Sequence, residues 1–281
     1  MVVKAAPKWG GDDQRPPRGE KLFKTPFFSA FLSAKKRSGK TSNIFLILSK
    51  IISKQTKLIV FCSTVHNDAS WVFMIKYFKE KGIDVTTHTS IWEGKENVLQ
   101  TLLYQIEEEA KADADDDEEE EEPEPKEILK HRGAGVMASI LQHNMPPEMN
   151  GEGEKEKAPR KSKYQERKYI VVLDDLSTEL KTPVLVGLLK NSRHYQMVVL
   201  ASSQYYLDLK PESRLQLDYF LLYKGQTEEK LEAIYKDANL SIDEEEFQRL
   251  YHDATQEPYN FLYVDARRDQ FRKNYNEEYE I

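Results

Sequence analysis

Ser38-Gly39-Lys40-Thr41 constrains this chain more than any other four residues, because of what flanks it. The preceding run after Pro26, "FFSAFLSA", is short, apolar and aromatic, as a buried strand requires. Ile44, Ile47, Leu48, Ile51 and Ile52 follow at helical spacing. A lysine-bearing loop between a strand and a helix mouth has a defined chemistry. Backbone N–H groups at a helix N-terminus point at an anion, and the lysine reaches the β/γ oxygens of a triphosphate. The adjacent hydroxyl holds Mg²⁺.

The candidate cradle is Ala34-Lys35-Lys36-Arg37-Ser38-Gly39-Lys40-Thr41-Ser42. Gly39, Lys40 and Thr41 fill the last three roles of a phosphate loop, and Lys35, Lys36 and Arg37 add charge that favours a triphosphate. The first position departs from the pattern. It holds Ala34, where a phosphate loop opens its tight turn with glycine, and alanine is the least bulky substitute. Either the loop binds nucleotide with alanine at its mouth, or it is a basic helix start of similar appearance.

The rest of the chain alternates strand and helix signals. "LIVFC" is a second buried strand, and a helix begins near Asp68 with Trp71, Met74, Ile75 and Phe78 on one face and Gly82 ending it. "DVTTHT" reads as a more polar strand and "ENVLQTLLYQIEEEAK" as a helix. Further on, "KYIVVLDDL", "QMVVLASSQ", "DYFLLYKG" and "NFLYVDA" are strands, the last followed by a basic tail. "TPVLVGLLKNSRH", "TEEKLEAIYKDANL" and "SIDEEEFQRLYHDA" are helices, the third opened by a Ser241/Glu244 capping box. Alternating buried strands and helices imply an α/β fold, mainly a parallel sheet with helices on both faces.

Charge divides the chain. Residues 107–125 hold thirteen acids and one lysine, and what remains carries 40 basic and 35 acidic residues, so the net −7 conceals a mildly basic body. The block reads either as a solvated, self-repelling insert or as an internal nucleic-acid mimic. The expected organisation is a flexible leader over 1–24 and one domain over 25–281. A largely disordered acidic and linker insert, at about 107–166, interrupts it, with one short helix in "EILKHRGAGVMASILQHN". One cysteine, Cys62, excludes an internal disulfide framework and favours a reducing, intracellular setting. No apolar run reaches the roughly 20 residues of a membrane span, so a soluble protein without membrane contact is expected.

"YIVVLDD" strengthens the phosphate-loop reading. Two carboxylates end a buried strand in the form of a Walker B motif, where Asp174 completes the Mg²⁺ shell and Asp175 polarises the attacking water. In isolation two such acids also serve as a helix cap or turn. Gln204 ends "MVVLASSQ", the position of a γ-phosphate sensor in P-loop ATPases that carry an additional strand between the loop and Walker B strands.

Together "SGKTS", "VVLDDL", "LLKNSRHYQMVVLASSQ" and "DLKPESRLQLDYFLLYKG" resemble the FtsK/HerA superfamily, in particular genome-packaging ATPases of nucleocytoplasmic large DNA viruses, virophages and Polinton-like elements. The resemblance spans roughly residues 25–60 and 168–224, with a weaker echo in "FLYVDARRDQFRKNYNEEY". It implies a P-loop NTPase of the additional-strand type that uses ATP and Mg²⁺. Such a motor translocates double-stranded DNA into a preformed capsid as a homo-oligomeric ring, with capsid proteins as further partners and a virus-infected host cell as its location. It also implies an arginine supplied across the subunit boundary, for which Arg193 and then Arg214 are the candidates. Lys161, Lys163, Arg167 and Lys168, or Arg267, Arg268, Arg272 and Lys273, are candidate phosphate contacts or ordinary solvated charge. Two rival readings stay open: another DNA-translocating ring such as a helicase or pump, and a non-hydrolysing interaction protein on a degenerate loop. No metal-spaced histidine cluster and no nucleophile–base pair is visible, and Cys62 reads as a small buried residue.

Overall fold

A computed structural model of the chain describes residues 15–119 and 163–281. One compact unit comprises Met1–Ala110 and Ser162–Ile281; a second comprises Lys111–Lys161, of which only helical backbone as far as Glu119 is described. The short helix expected after the acidic run lies outside the described residues.

The elements run β1 (Ser29–Ser33), α1 (Lys40–Ile51), β2 (Lys57–Cys62), α2 (Ala69–Glu80), β3 (Asp84–His88), a small hairpin of β4 (Trp92–Glu93) and β5 (Glu96–Asn97), and α3 (Val98–Glu119). Then follow β6 (Tyr169–Asp174), α4 (Pro183–Asn191), β7 (Met197–Ser203), α5 (Pro211–Arg214) and β8 (Tyr219–Tyr223). The chain ends with α6 (Glu228–Ala238), α7 (Glu244–Ala254), β9 (Phe261–Asp265), β10 (Gln270–Lys273) and β11 (Glu277–Glu278).

Nine strands form one sheet in the order β11-β10-β9-β8-β1-β7-β6-β2-β3. The six from β3 to β8 are parallel, and β9, β10 and β11 extend the edge antiparallel. Strand β7 separates β1 from β6, which is the additional-strand arrangement expected from the motifs. Side chains alternate between the two faces. Phe31, Val171, Val199 and Phe220 pack against α3, α4, α6 and α7. Leu32, Val172, Leu200 and Leu221 pack against α1 and α2. Each of these side chains, fully buried, contributes about 1.5–3 kcal/mol, and burial on both faces explains why the strands read as unbroken apolar runs.

Local chemistry sets the boundaries. The Asp68 carboxylate accepts from Ser70 N–H at 2.7 Å and starts α2, and Gly82, at φ +74, turns the chain after it. Pro183 begins α4 beneath a Thr182 cap. The Ser241/Glu244 box does not form. Asp243 is the cap of α7 and accepts from Glu246 N–H at 2.8 Å, while Ser241 N–H donates to Asp269 instead.

Parts of the two segments expected to be loose carry structure, and so does the basic tail. Leu22 and Phe23, within the leader, pack into the core beneath α1. Helix α3 continues through residues 107–119 of the acidic block. Its early acids are anchored: Glu107 accepts from the Tyr195 hydroxyl at 3.0 Å, and Glu109 from Tyr169. The basic tail forms β10 and β11, with Phe271 and Arg272 buried.

Candidate active site

The candidate residues collect at the C-terminal ends of β1, β6 and β7. Ala34 N–H donates to Ser203 C=O at 3.3 Å, and its side chain, 1% exposed, is part of the core. The left-handed residues of the loop are Arg37 (φ +63) and Gly39 (φ +86), not Ala34. The turn that a first glycine would open is therefore made three to five residues later, and alanine at the mouth costs no backbone strain. Gly39 is the N-cap of α1, and its carbonyl accepts from Asn43 N–H at 3.0 Å. Its positive φ favours glycine, and a Cβ there would also sit 3.2 Å from the Tyr259 ring, a tight contact. Lys35, Lys36 and Arg37 are exposed, and the Lys35 stem lies against Gly225. Ser38 Oγ is buried without a hydrogen-bond partner, as suits a hydroxyl awaiting a ligand oxygen.

Lys40 Nζ lies 2.7 Å from Asp174 Oδ1, and both are largely buried. The other contacts of this carboxylate are also side chains. The Ser202 hydroxyl donates to Oδ1, the Trp71 indole N–H donates to Oδ2 at 3.0 Å, and Cys62 Sγ is 3.9 Å from Oδ2. Burial first, and the Asp174 charge after it, push the Cys62 thiol up, so it stays protonated. Thr41 sits in the first turn of α1. Thr41 and Asp174 give two hard-oxygen donors, and Mg²⁺ bound with a nucleotide needs few more from protein, since phosphates and water complete its octahedron. Among the described residues no group of three or more His, Cys, Asp and Glu could hold a metal alone.

Asp175 follows directly, half-buried and left-handed at φ +56. Its N–H donates to Ser202 C=O at 3.3 Å and its carbonyl accepts from Ser63 Oγ at 3.4 Å, which holds this costly conformation at the strand end. Gln204 leaves β7 between the loop strand and the Asp174 strand, its carbonyl accepting from Lys230 Nζ at 3.0 Å. Beneath it Ser203 Oγ donates to Asp208 at 2.6 Å. Sequence reading missed Ser202, Trp71 and Gln226. The Gln226 side chain donates to Ser33 C=O at 2.9 Å and accepts from Ser33 Oγ at 2.9 Å, bracing the loop mouth.

The remaining expected residues lie elsewhere. Arg193 is 2.9 Å from Asp218 Oδ1, beside the N-terminal end of β1, with its side chain 53% exposed. It is on the rim opposite the phosphate loop. Arg214 is 13% exposed, paired with Asp237 at 3.3 Å and set over the Tyr206 ring. Arg167 is buried and donates to the carbonyls of Pro26, Arg18 and Ile51 at 2.6, 2.9 and 3.3 Å. Burial lowers its pKa to about 10. Arg272 is buried against Tyr263. Neither can touch DNA from where it sits, and both are scaffold arginines. Lys163, Lys168, Arg267 and Arg268 are exposed, with Arg267 and Arg268 paired to Asp218 and Asp265; Lys273 is half-buried. Lys161 lies outside the described residues. Among those residues no helix is long and apolar enough to cross a membrane.

No protein-family model and no curated protein matches the sequence. Among solved structures, the genome packaging NTPase B204 from Sulfolobus turreted icosahedral virus 2, in complex with AMPPCP, is similar over 88% of this chain and 97% of its own, at 13% identity and a TM-score of 0.51. The same protein in complex with AMP gives 14% identity and 0.49, over 88% and 96%. EccC of Thermomonospora curvata (ATPases 2 and 3), with a signal sequence peptide, gives 13% identity and 0.43, over 86% of this chain and 35% of that one. The first likeness is one of fold. With the strand order and the loop geometry, it makes this chain a P-loop ATPase fold.

Proposed function

We propose that the chain hydrolyses ATP as an FtsK/HerA-type motor and moves double-stranded DNA into a preformed capsid as a homo-oligomeric ring. The observation that carries the hydrolytic part is the 2.7 Å contact of Lys40 with Asp174, with Asp175 and Gln204 at the adjoining strand ends. An idle site has no need for that constellation. Ala34, the best support for a degenerate loop, is an ordinary core residue here.

Lys40 is a cation held in reserve by a carboxylate. On ATP binding it turns to the β/γ oxygens, and Ser38 Oγ and the loop N–H groups take the remaining oxygens. Thr41 and Asp174 are the residues that would hold Mg²⁺, which would supply Lewis-acid stabilisation of the phosphoryl oxygens. Asp175 orients and deprotonates water, and the Gln204 amide senses the γ-phosphate. Both candidate arginines are paired within the chain, Arg193 with Asp218 and Arg214 with Asp237; Arg193, half-exposed on the far rim, is the one proposed to serve a neighbouring subunit, and Arg214 is largely buried.

The DNA step is supported by the motif resemblance and by the genome packaging role of the B204 neighbour. Exposed Lys163, Lys168, Arg267 and Arg268 are the phosphate contacts proposed for it. Steady-state ATP hydrolysis with and without linear duplex DNA tests the reading. Stimulation by DNA that weakens as salt rises is expected. Turnover that ignores DNA would remove the translocation step and leave an ATPase of another kind.

A further inference from the structure

Two clefts diverge from Ser42. One, of about 390 Å³, opens toward α2 and is lined by Thr41, Phe45, Ser70 and Phe73. The other, of about 600 Å³, opens toward the antiparallel edge between Gly39 and Leu46 on one side and Tyr223, Tyr259, Phe261 and Asn274 on the other. The groups that handle the γ-phosphate, Asp174, Asp175 and Gln204, stand at the ends of β6 and β7. A triphosphate laid across the loop with its γ end there has its α end, and whatever is attached to it, over β8 and β9.

We infer that this second cleft is the base subsite of the nucleotide, with the Tyr259 ring stacked on a purine and the Asn274 amide at its edge. The inference rests on the nucleotide reading above and assigns the part of the ligand that the phosphate loop does not touch. Tyr259 is 69% exposed and left-handed at φ +70, an unfavourable conformation for a bulky residue. Its ring lies against the loop itself, beside Gly39. Packing does not explain an aromatic ring held over the phosphate site at a cost in backbone strain; a stacked ligand does. Asn43 ties both floor tyrosines down: its amide donates to the Tyr223 hydroxyl at 2.6 Å and accepts from the Tyr275 hydroxyl at 2.9 Å, so the Tyr275 proton is spent and the Tyr223 proton is not. Asn274 accepts from Phe261 N–H at 3.2 Å and donates to Asn260 at 3.0 Å. One N–H and one lone pair of its amide remain, the complement of an adenine edge.

Calorimetric titration with ATP and with inorganic tripolyphosphate, both with Mg²⁺, separates base from phosphate. Wild-type protein is expected to prefer ATP by about ten-fold, the value of one base–aromatic stack. Tyr259→Ala loses that preference and leaves tripolyphosphate affinity unchanged, and Tyr259→Phe retains it. Tyr259→Ala that binds ATP as wild type does, or loss of the preference in Phe73→Ala instead, overturns the assignment. Equal affinity of wild type for the two ligands also overturns it while leaving the triphosphate site intact. Wild-type protein that binds neither ligand removes the nucleotide reading, and the subsite with it.

Discussion

The two rims of the parallel sheet bury ionic groups to similar extents and hold them in opposite ways. At the N-terminal rim, Asp218 is 5% exposed and takes Arg193 and Arg267 on one oxygen, but its other oxygen accepts from the Ser29 backbone N–H at 2.9 Å. Nearby, Arg167 is caged by three backbone carbonyls. At the C-terminal rim, Asp174 is 3% exposed, and among the described residues the polar partners of its carboxylate are all side chains, of which Lys40 is the long and flexible one. Backbone partners fix a charge; side-chain partners hold it until something better arrives. Burial therefore does not distinguish a scaffold charge from a working one, but the nature of its partners does.

Lys40→Ala is the strongest test of that contrast. Hydrolysis should fall at least about a thousand-fold, near 4 kcal/mol of transition-state stabilisation, while thermal unfolding moves by only a few degrees. A collapse of the fold instead would make the upper pair a structural one and erase the difference between the rims. Arg167→Met should do the reverse. It strands three carbonyls and should lower stability by about 3 kcal/mol, read from urea unfolding. The nucleotide affinity of the folded protein should be unchanged, and a selective loss of ATP binding would contradict a scaffold role. Trp71→Phe keeps most of the packing and removes one hydrogen bond to Asp174. About 1 kcal/mol of stability should go, together with a rightward shift in the Mg²⁺ dependence of hydrolysis. An unshifted Mg²⁺ curve would reduce Trp71 to packing alone.

What the sequence makes legible follows the same division. Strands buried on both faces show as unbroken apolar runs, so β1, β2, β6, β7 and β8 and the loop between β1 and α1 are readable. Asp68 and Gly82 mark α2 because each solves a local backbone problem. The cap of α7 is ambiguous because "SIDEEE" contains two overlapping boxes, from Ser241 to Glu244 and from Asp243 to Glu246, and tertiary contact with Asp269 decides between them. The tail is hidden by composition. Arg272 lays its guanidinium over the Tyr263 ring inside a strand whose charges suggest solvent. Trp71, Gln226 and Tyr259 reach the site from elements far along the chain, and nothing local to them announces it.

Ala34 has a bearing on how such loops are searched for. A pattern that demands glycine at the mouth equates the motif with one way of making its turn. Here the left-handed turn falls to Arg37 and Gly39, and the mouth residue is free to become part of the core. A small apolar residue at that place, with lysine and threonine intact six and seven positions later, is therefore no ground for discarding a sequence as a triphosphate binder.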